Sequence, residues 1–314
     1  MRYLSDDDVE ALLPPPVEAV RLAHEALVAL SRGEAEVPPK PTVHAADGAF
    51  ANAMPAAYSA RKLLGCKWIN IFPDNPSRGL PTATGLMVVN DGETGVPRVV
   101  MSAGALTAAR TAAVSGACIA AMGSPGAPVG FTGAGVQARS HLRVLAALGH
   151  HDVTVYARRQ EAREELLGWA ASSVPQVALR VTGDVREAVE GRPVVVTALS
   201  IGLPGVELDP GWVVPDALVL PLDYASSVGP ALAAGALVAA DHLSQFEAVR
   251  AAGALGDHPP ATRWTGELLD GPRPGGRVVC QNLGNGLSDL VVAAAVADAA
   301  DAHGAGQLLD TGAA

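Results

Sequence analysis

Apolar positions follow two different periods along the chain. Val20, Ala23, Leu27 and Leu30 recur at helical spacing, which predicts a helix from about Val17 to Arg32 that Gly33 ends. Ahead of it, Ser5 with Asp8 three residues later predicts a short helix opening on an acidic capping box, broken by Pro14 to Pro16. EVPPK, residues 36–40, reads as an extended proline segment. From 41 to 100 the period shortens. The apolar runs KWINIF, GLMVVN and RVVM are separated by turn clusters at Pro73–Pro76 and Asn90–Gly92, which predicts a strand-rich sheet. From Thr107 to about Met122 the pattern is helical and rich in small residues, and it stops at Ser124-Pro125-Gly126.

The second half alternates strand and helix. Val129 to Gly149, VGFTGAGVQARSHLRVLAALG, reads as a short strand, a glycine turn and an amphipathic helix. A strand VTVY, a charged helix from Gln160 to Ser172, and the strands VALRVT, PVVVTAL, ALVLPLD (217–223) and ALVAAD (236–241) follow. Such alternation predicts an α/β fold with a doubly wound parallel (Rossmann) sheet, beside a second α+β domain. The last helix, Leu287 to His303, is Ala/Val-rich with little polar surface. It needs an apolar partner, either the first domain or a second subunit. The boundaries expected are 1–122 plus about 287–314 for a substrate and dimerisation domain, and 123–286 for a dinucleotide-binding domain.

Composition narrows the classes. The chain has 314 residues, 49% hydrophobic and 4% aromatic, so its core is built from Ala, Val and Leu. A formal charge of −10 argues against nucleic acid and anionic membranes as partners. The N-terminus MRYLSDDDVEALL is acidic and unlike a signal peptide, and no uninterrupted apolar run is long enough to span a bilayer. Three widely spaced cysteines, Cys66, Cys118 and Cys280, suggest reduced thiols in a cytoplasm and not a zinc site. No metal is expected.

Gly133, Gly135 and Ala138 occupy the small-residue slots of the G-x-G-x-x-G/A fingerprint. The first permits the tight turn, the second lets backbone approach a pyrophosphate, and the third lets helix lie close on sheet. A plain strand–turn–helix uses the same residues for packing, but the flanking strands match the nucleotide reading. Cofactor contacts are therefore assigned to Gly133, Ala134, Gly135, Val136 and Gln137. At the end of the next strand stand Arg158 and Arg159, where an acid would receive a ribose 2′-hydroxyl. They are either solvated surface arginines or a preference for NADP(H), with NAD(H) possible.

Lys67 lies inside the apolar run GCKWINIF, where an unpaired ammonium is costly to bury. Arg110 sits among small residues in LTAARTAA and suits a bidentate grip on a carboxylate. The alternative is that both simply point outward. Asp223 ends a strand at the carboxyl edge of the sheet, either as a ligand-facing acid or as a turn cap.

The segments VPPK, AMPAAY, GCKWINIFPDNPSRGLPT, DGETGVPRVVM and LTAARTAA resemble the ornithine cyclodeaminase/mu-crystallin family, as do FTGAGVQA, VVVTAL and NGLSDLVVAAAV. That resemblance implies a two-domain homodimer, a nicotinamide cofactor and an amino-, imino- or 2-oxo-acid substrate. By motif position it assigns Lys40, Lys67 and Arg110 to the substrate carboxylate, Thr111 and Thr197 to the cofactor, and Asp223 to acid/base work; either Asp223 or Lys67 is expected to deliver or remove the proton. Lys40 matches the alanine dehydrogenase branch. Asn52, another candidate substrate contact, stands where cyclodeaminases place a glutamate, and Cys280-Gln281-Asn282 replaces a more usual Phe-x-Ser. Together these predict an NAD(P)H-dependent oxidoreductase that reduces an α-imino acid (ketimine) or reductively aminates a 2-oxo acid. The alternatives are an ornithine or lysine cyclodeaminase and a non-catalytic NADP-binding protein.

Overall fold

The computed structural model describes residues 1–46, 48–200 and 206–310. Residues divide into two compact units, 1–110 with 285–314 and 111–284. The division falls within a helix, upstream of the composition break at Ser124-Pro125-Gly126. Residues 311–314 of the C-terminal segment assigned to the first domain, and 201–205 of the second, lie outside the described residues.

Strand β1 (Arg2–Leu4) leads into α1 (Asp6–Leu12). The Ser5 hydroxyl accepts from the Asp8 amide while the Asp8 carboxylate accepts from the Ser5 amide, completing the expected capping box. Helix α2 (Pro16–Ser31) begins on the last residue of the proline run because proline is tolerated at a first helical position. Then β2 (Thr42–Ala46), β3 (Ala49–Tyr58), β4 (Leu63–Ile71), β5 (Ala83–Asp91) and β6 (Pro97–Ser102) form an antiparallel meander. Helix α3 (Gly104–Met122) follows, its first turn met by the Asp6 carboxylate, which accepts from the Ala105 amide.

The second unit runs β7 (Val129–Thr132), α4 (Val136–Ala147), β8 (Asp152–Tyr156), α5 (Gln160–Ser173), β9 (Ala178–Thr182), α6 (Val185–Val189) and β10 (Val194–Thr197). It continues through β11 (Leu218–Pro221), α7 (Pro230–Ala233), β12 (Leu237–Ala240), α8 (Leu243–Ala251), β13 (Arg263–Trp264), α9 (Thr265–Leu269) and β14 (Val278–Gln281). All eight strands are parallel, in the order β13-β12-β14-β11-β10-β7-β8-β9. The chain winds outward from β7 toward β9 and, in the other direction, from β10 onward, which is the doubly wound topology expected. Strand β14, not singled out in the sequence, inserts between β11 and β12.

The chain then returns to the first unit as α10 (Gly286–His303) and β15 (Gln307–Leu308), which closes that sheet in the order β15-β1-β6-β5-β4-β3-β2. The Asn285 side chain caps α10 by accepting from the Ser288 amide, and Gly304 ends it in the left-handed region. Leu287, Leu290, Val291, Val292, Val296 and Ala297 are all fully buried, against α2 and the sheet strands β3, β4 and β5. The first unit itself is thus the partner this apolar helix requires. Its close seat depends on Gly286. A Cβ there would lie 2.7 Å and 2.8 Å from the carbonyl oxygens of Met54 and Pro55, which are backbone atoms with little room to move.

Helix α3, its apolar run interrupted by Arg110, bears on the expectation about membrane spans. Among the described residues it is long and apolar enough by composition to cross a bilayer, yet most of it is buried inside the protein. Its apolarity serves a core, as does that of α10.

Gly286→Ala should lower folding stability by about 1–3 kcal/mol through overpacking of α10 on β3. A urea titration checks this, and an unchanged midpoint would contradict the packing described.

Candidate active site

Pairing across the first sheet sets Met54, Lys67, Met87 and Met101 in one row over β3, β4, β5 and β6. Every member is buried, Lys67 to 1% exposure. Alternation therefore points Lys67 inward, toward the face covered by α10. There its ammonium donates to Asp289 Oδ1 at 2.6 Å and to the Thr107 hydroxyl at 3.4 Å. Arg110 Nε approaches the same Asp289 oxygen at 2.9 Å, at an angle that makes an ion pair but no hydrogen bond. Neither cation points outward, which settles the orientation that spacing alone left open.

The charge count at this point is uneven. Two buried cations share one fully buried carboxylate, with the half-buried Lys40 close enough to act on Lys67 electrostatically. Burial first, then the field of Arg110, depress the Lys67 ammonium from 10.5 to about 7; the Asp289 charge and hydrogen bond oppose them, and Lys40 adds to the fall. Arg110 Nη1 and Asp289 Oδ2 are buried with no hydrogen-bond partner. A guanidinium nitrogen left so in a site with one surplus positive charge is the donor a carboxylate would take. Asn52 lies on the same sheet face, two residues from Met54, and its carbonyl accepts from the Thr42 hydroxyl at 2.6 Å.

Asp289 escaped the sequence reading. The signal was available: a lone carboxylate in the apolar stretch NGLSDLVVAAAV raises the same question as Lys67 in its strand, and each answers the other.

In the second unit the carboxyl ends of β7 and β10 lie side by side, with Thr132 paired to Thr197. Gly133 follows at φ +102, and a Cβ on it would sit 2.5 Å from the Ala198 carbonyl oxygen, so only glycine fits. Gly135 differs. It has ordinary φ, and a Cβ there would meet nothing within 4 Å. The packing of the chain does not demand glycine at 135, and the open space lies at the uncapped start of α4, next to Val136 and Gln137. Free amides and the helix dipole at such an end suit an anion. Ala138 is buried beneath. Around this edge the polar atoms Thr132 Oγ1, Gln137 Oε1, Gln281 Oε1 and Asn282 Nδ2 are buried without partners. The donor set and the open cradle both fit a dinucleotide. Thr111, on α3, is buried, and Arg158 and Arg159 are exposed at the end of β8. Arg163 donates to the carbonyls of Ala157 and Arg158, bracing that turn.

Asp223 is fully buried and its oxygens are taken up. Oδ1 accepts from Thr197 Oγ1 at 2.7 Å, and Oδ2 accepts from Ser227 Oγ at 2.6 Å and the Leu199 amide at 3.1 Å. Burial pushes its carboxyl up, against the pull of those three bonds. This is the geometry of the turn cap, tying β10 to the loop after β11. Asp241, not singled out in the sequence, does the same after β14 by accepting from the amides of Leu283 and Gly284.

His141 braces the nucleotide turn from below. Its Nδ1 lies 2.8 Å from the Gln137 carbonyl oxygen and its Nε2 2.9 Å from Ser115 Oγ. With the Nδ1–H donating to that carbonyl, Nε2 accepts from the serine. Burial lowers its pKa from 6.5 to about 4, against the raising effect of the Gln137 bond. The unfolded chain therefore takes up a proton that the folded one refuses as pH falls from about 6.5 toward 4, and stability is lost over that window. Denaturation midpoints measured between pH 7 and 4.5 should fall more steeply in the wild type than in His141→Gln; parallel curves would contradict it.

The family model described as the ornithine cyclodeaminase/mu-crystallin family matches residues 4–220. The nodulation efficiency protein NfeD of Rhizobium meliloti is 30% identical over 324 residues, covering 98% of each chain. The ketimine reductase mu-crystallin of Rattus norvegicus is 32% identical over 207 residues, 62% of this chain and 63% of that one. Among solved structures, an archaeal alanine dehydrogenase dimer with bound NAD superposes with a TM-score of 0.84 at 26% identity, covering 99% of each chain.

Proposed function

The chain belongs to the ornithine cyclodeaminase/mu-crystallin family, and on that premise we propose that it is an NAD(P)H-dependent oxidoreductase acting on C–N bonds. It reduces an α-imino acid, or the imine formed from a 2-oxo acid and an amine, to the amino acid. The observation that carries this reading is the buried pair Lys67 and Arg110 sharing Asp289, with Arg110 Nη1 unpartnered. An anionic group completes that site, and a substrate carboxylate is such a group.

Arg110, with Lys40, holds the carboxylate, and Asn52 offers an amide in place of the glutamate that a diamino acid would favour. When bound, the nicotinamide supplies a hydride, two electrons, to the imine carbon. Lys67 Nζ gives a proton to the nitrogen as the C=N bond becomes a single bond, so one hydride and one proton are consumed per amine formed. An ammonium whose pKa is about 7 is suited to that transfer near neutral pH. Asp223 acts here as the residue that fixes Thr197 and the carboxyl edge, since its own oxygens are engaged.

The cradle at Gly133–Gln137 holds the pyrophosphate, with Thr111 as a further cofactor contact, and Arg158 and Arg159 favour NADP(H) by receiving a 2′-phosphate. The protein acts as a homodimer. The sheet face opposite Lys67 exposes Tyr3, Val43, Leu64, Trp68 and Leu86, a run of apolar side chains that a second copy would cover. Three unpaired cysteines support a cytoplasmic setting.

NADPH oxidation in the presence of cyclic imines, or of 2-oxo acids with amines, should be stoichiometric with product. Turnover of ornithine or lysine on catalytic NAD with ammonia release would replace this reading with the cyclodeaminase, and binding without turnover would leave a carrier. Arg110→Ala should raise KM for the imino acid at least ~10-fold, as loss of a charge-assisted contact implies, while cofactor affinity holds; an unchanged KM removes Arg110 from the site. Gly135→Val should fold normally, given the open space around it, yet lose NAD(P)H binding by calorimetry. Retained binding would sink the phosphate-cradle assignment.

A further inference from the structure

A carboxylate beside a buried lysine can be a bare structural partner or can govern when that lysine carries its proton. Asp289 stands between Lys67 and Arg110, using Oδ1 for both, at 2.6 Å and 2.9 Å. Its place is held by backbone contacts: α10 is capped by Asn285 and seated hard on β3 through Gly286, so Asp289, on the first turn, cannot withdraw. The charged groups that face Lys67 are Asp289 from α10, Arg110 from α3 and Lys40 from the segment before β2. Thr107 of α3 adds a hydroxyl, and the flanking residues Met54 and Met87 carry no charge. Asp289 is thus the one carboxylate among them, while burial, Arg110 and Lys40 all drive the Lys67 proton off.

We propose that Asp289 is a positioning residue for the reaction: it keeps the Lys67 ammonium protonated and aimed beside Arg110, and so sets the pH range over which imine reduction runs. This inference rests on the reading of Lys67 as proton donor. Protonated Lys67, Arg110 and ionised Asp289 together carry one positive charge, which a bound carboxylate neutralises. Loss of the lysine proton leaves those three groups neutral in sum, with Lys40 alone as net counter-charge for the incoming carboxylate. Proton delivery then fails and substrate binding weakens on the alkaline side.

For the wild type, kcat/KM for imine reduction should decline as pH rises through about 7. Asp289→Asn removes the charge at nearly constant shape, and the alkaline limb should move down by about 1 pH unit or more, the size expected for loss of an adjacent opposite charge. Asp289→Glu should leave the limb near its wild-type position. A merely structural role would reduce the rate without moving the limb, and an unmoved limb in Asp289→Asn overturns the proposal. Should that variant fail to fold, NMR of the wild type decides. The Lys67 Nζ nitrogen and the Asp289 carboxyl carbon should shift with a common midpoint, and a lysine titration that leaves the carboxyl resonance unmoved overturns it. The NMR needs no turnover, so a wild type that reduces no imine would fail the proposed reaction while the coupling is still judged by itself.

Discussion

Putting a lysine ammonium at 1% exposure in the middle of a β-sheet face is the costly act around which the first unit is arranged. An isolated buried charge would either neutralise or unfold its surroundings. Here it is met by a carboxylate from the far end of the sequence, 222 residues away. That pairing requires α10 to lie across β3 and β4, and hence Gly286 against the Met54 and Pro55 carbonyls. It also requires the three methionines of the Lys67 row to fill the remaining space, which their unbranched, adaptable side chains do well. The C-terminal helix is therefore both the lid of an apolar core and the source of the carboxylate that pairs with Lys67 and Arg110.

In the second unit, buried charge is handled differently. Asp223 and Asp241 are buried carboxylates held by neutral donors at the ends of parallel strands, Asp223 by two hydroxyls and an amide and Asp241 by two amides. Their acceptors tie the loops that follow β10, β11 and β14 at the carboxyl edge of the second sheet. At that edge polar atoms of Thr132, Gln137, Gln281 and Asn282 are buried without hydrogen-bond partners. The cation pair of the first unit has the reverse deficiency, a surplus of donors. Each unit by itself thus shows what kind of chemistry it lacks.

The glycine turn illustrates why a motif can be read correctly for mixed reasons. Gly133 is demanded by the fold, through its φ and the Ala198 carbonyl. Gly135 is not, and its lack of a side chain has meaning only if something outside the chain occupies the space. The fingerprint lists the two together, and only their surroundings separate a packing glycine from a ligand glycine.

Periodicity was enough for many of the elements. The helical spacing of α2, the alternating runs of β4 to β6, the strand–turn–helix at Val129 to Gly149 and the succession of short strands after it are local patterns, set by which face of each element must leave water. The family likeness and the identities of Lys67 and Arg110 as unusual residues were legible in the same way. Tertiary structure alone decided what those residues touch. Whether Lys67 pointed in or out, that Asp289 would answer it, that Asp223 would spend its oxygens on Thr197, Leu199 and Ser227, and that β14 would enter the sheet between β11 and β12 all depend on register and on contacts between distant segments. Side-chain direction in a strand inverts with a shift of one residue, and no local spacing records which remote helix will lie over it.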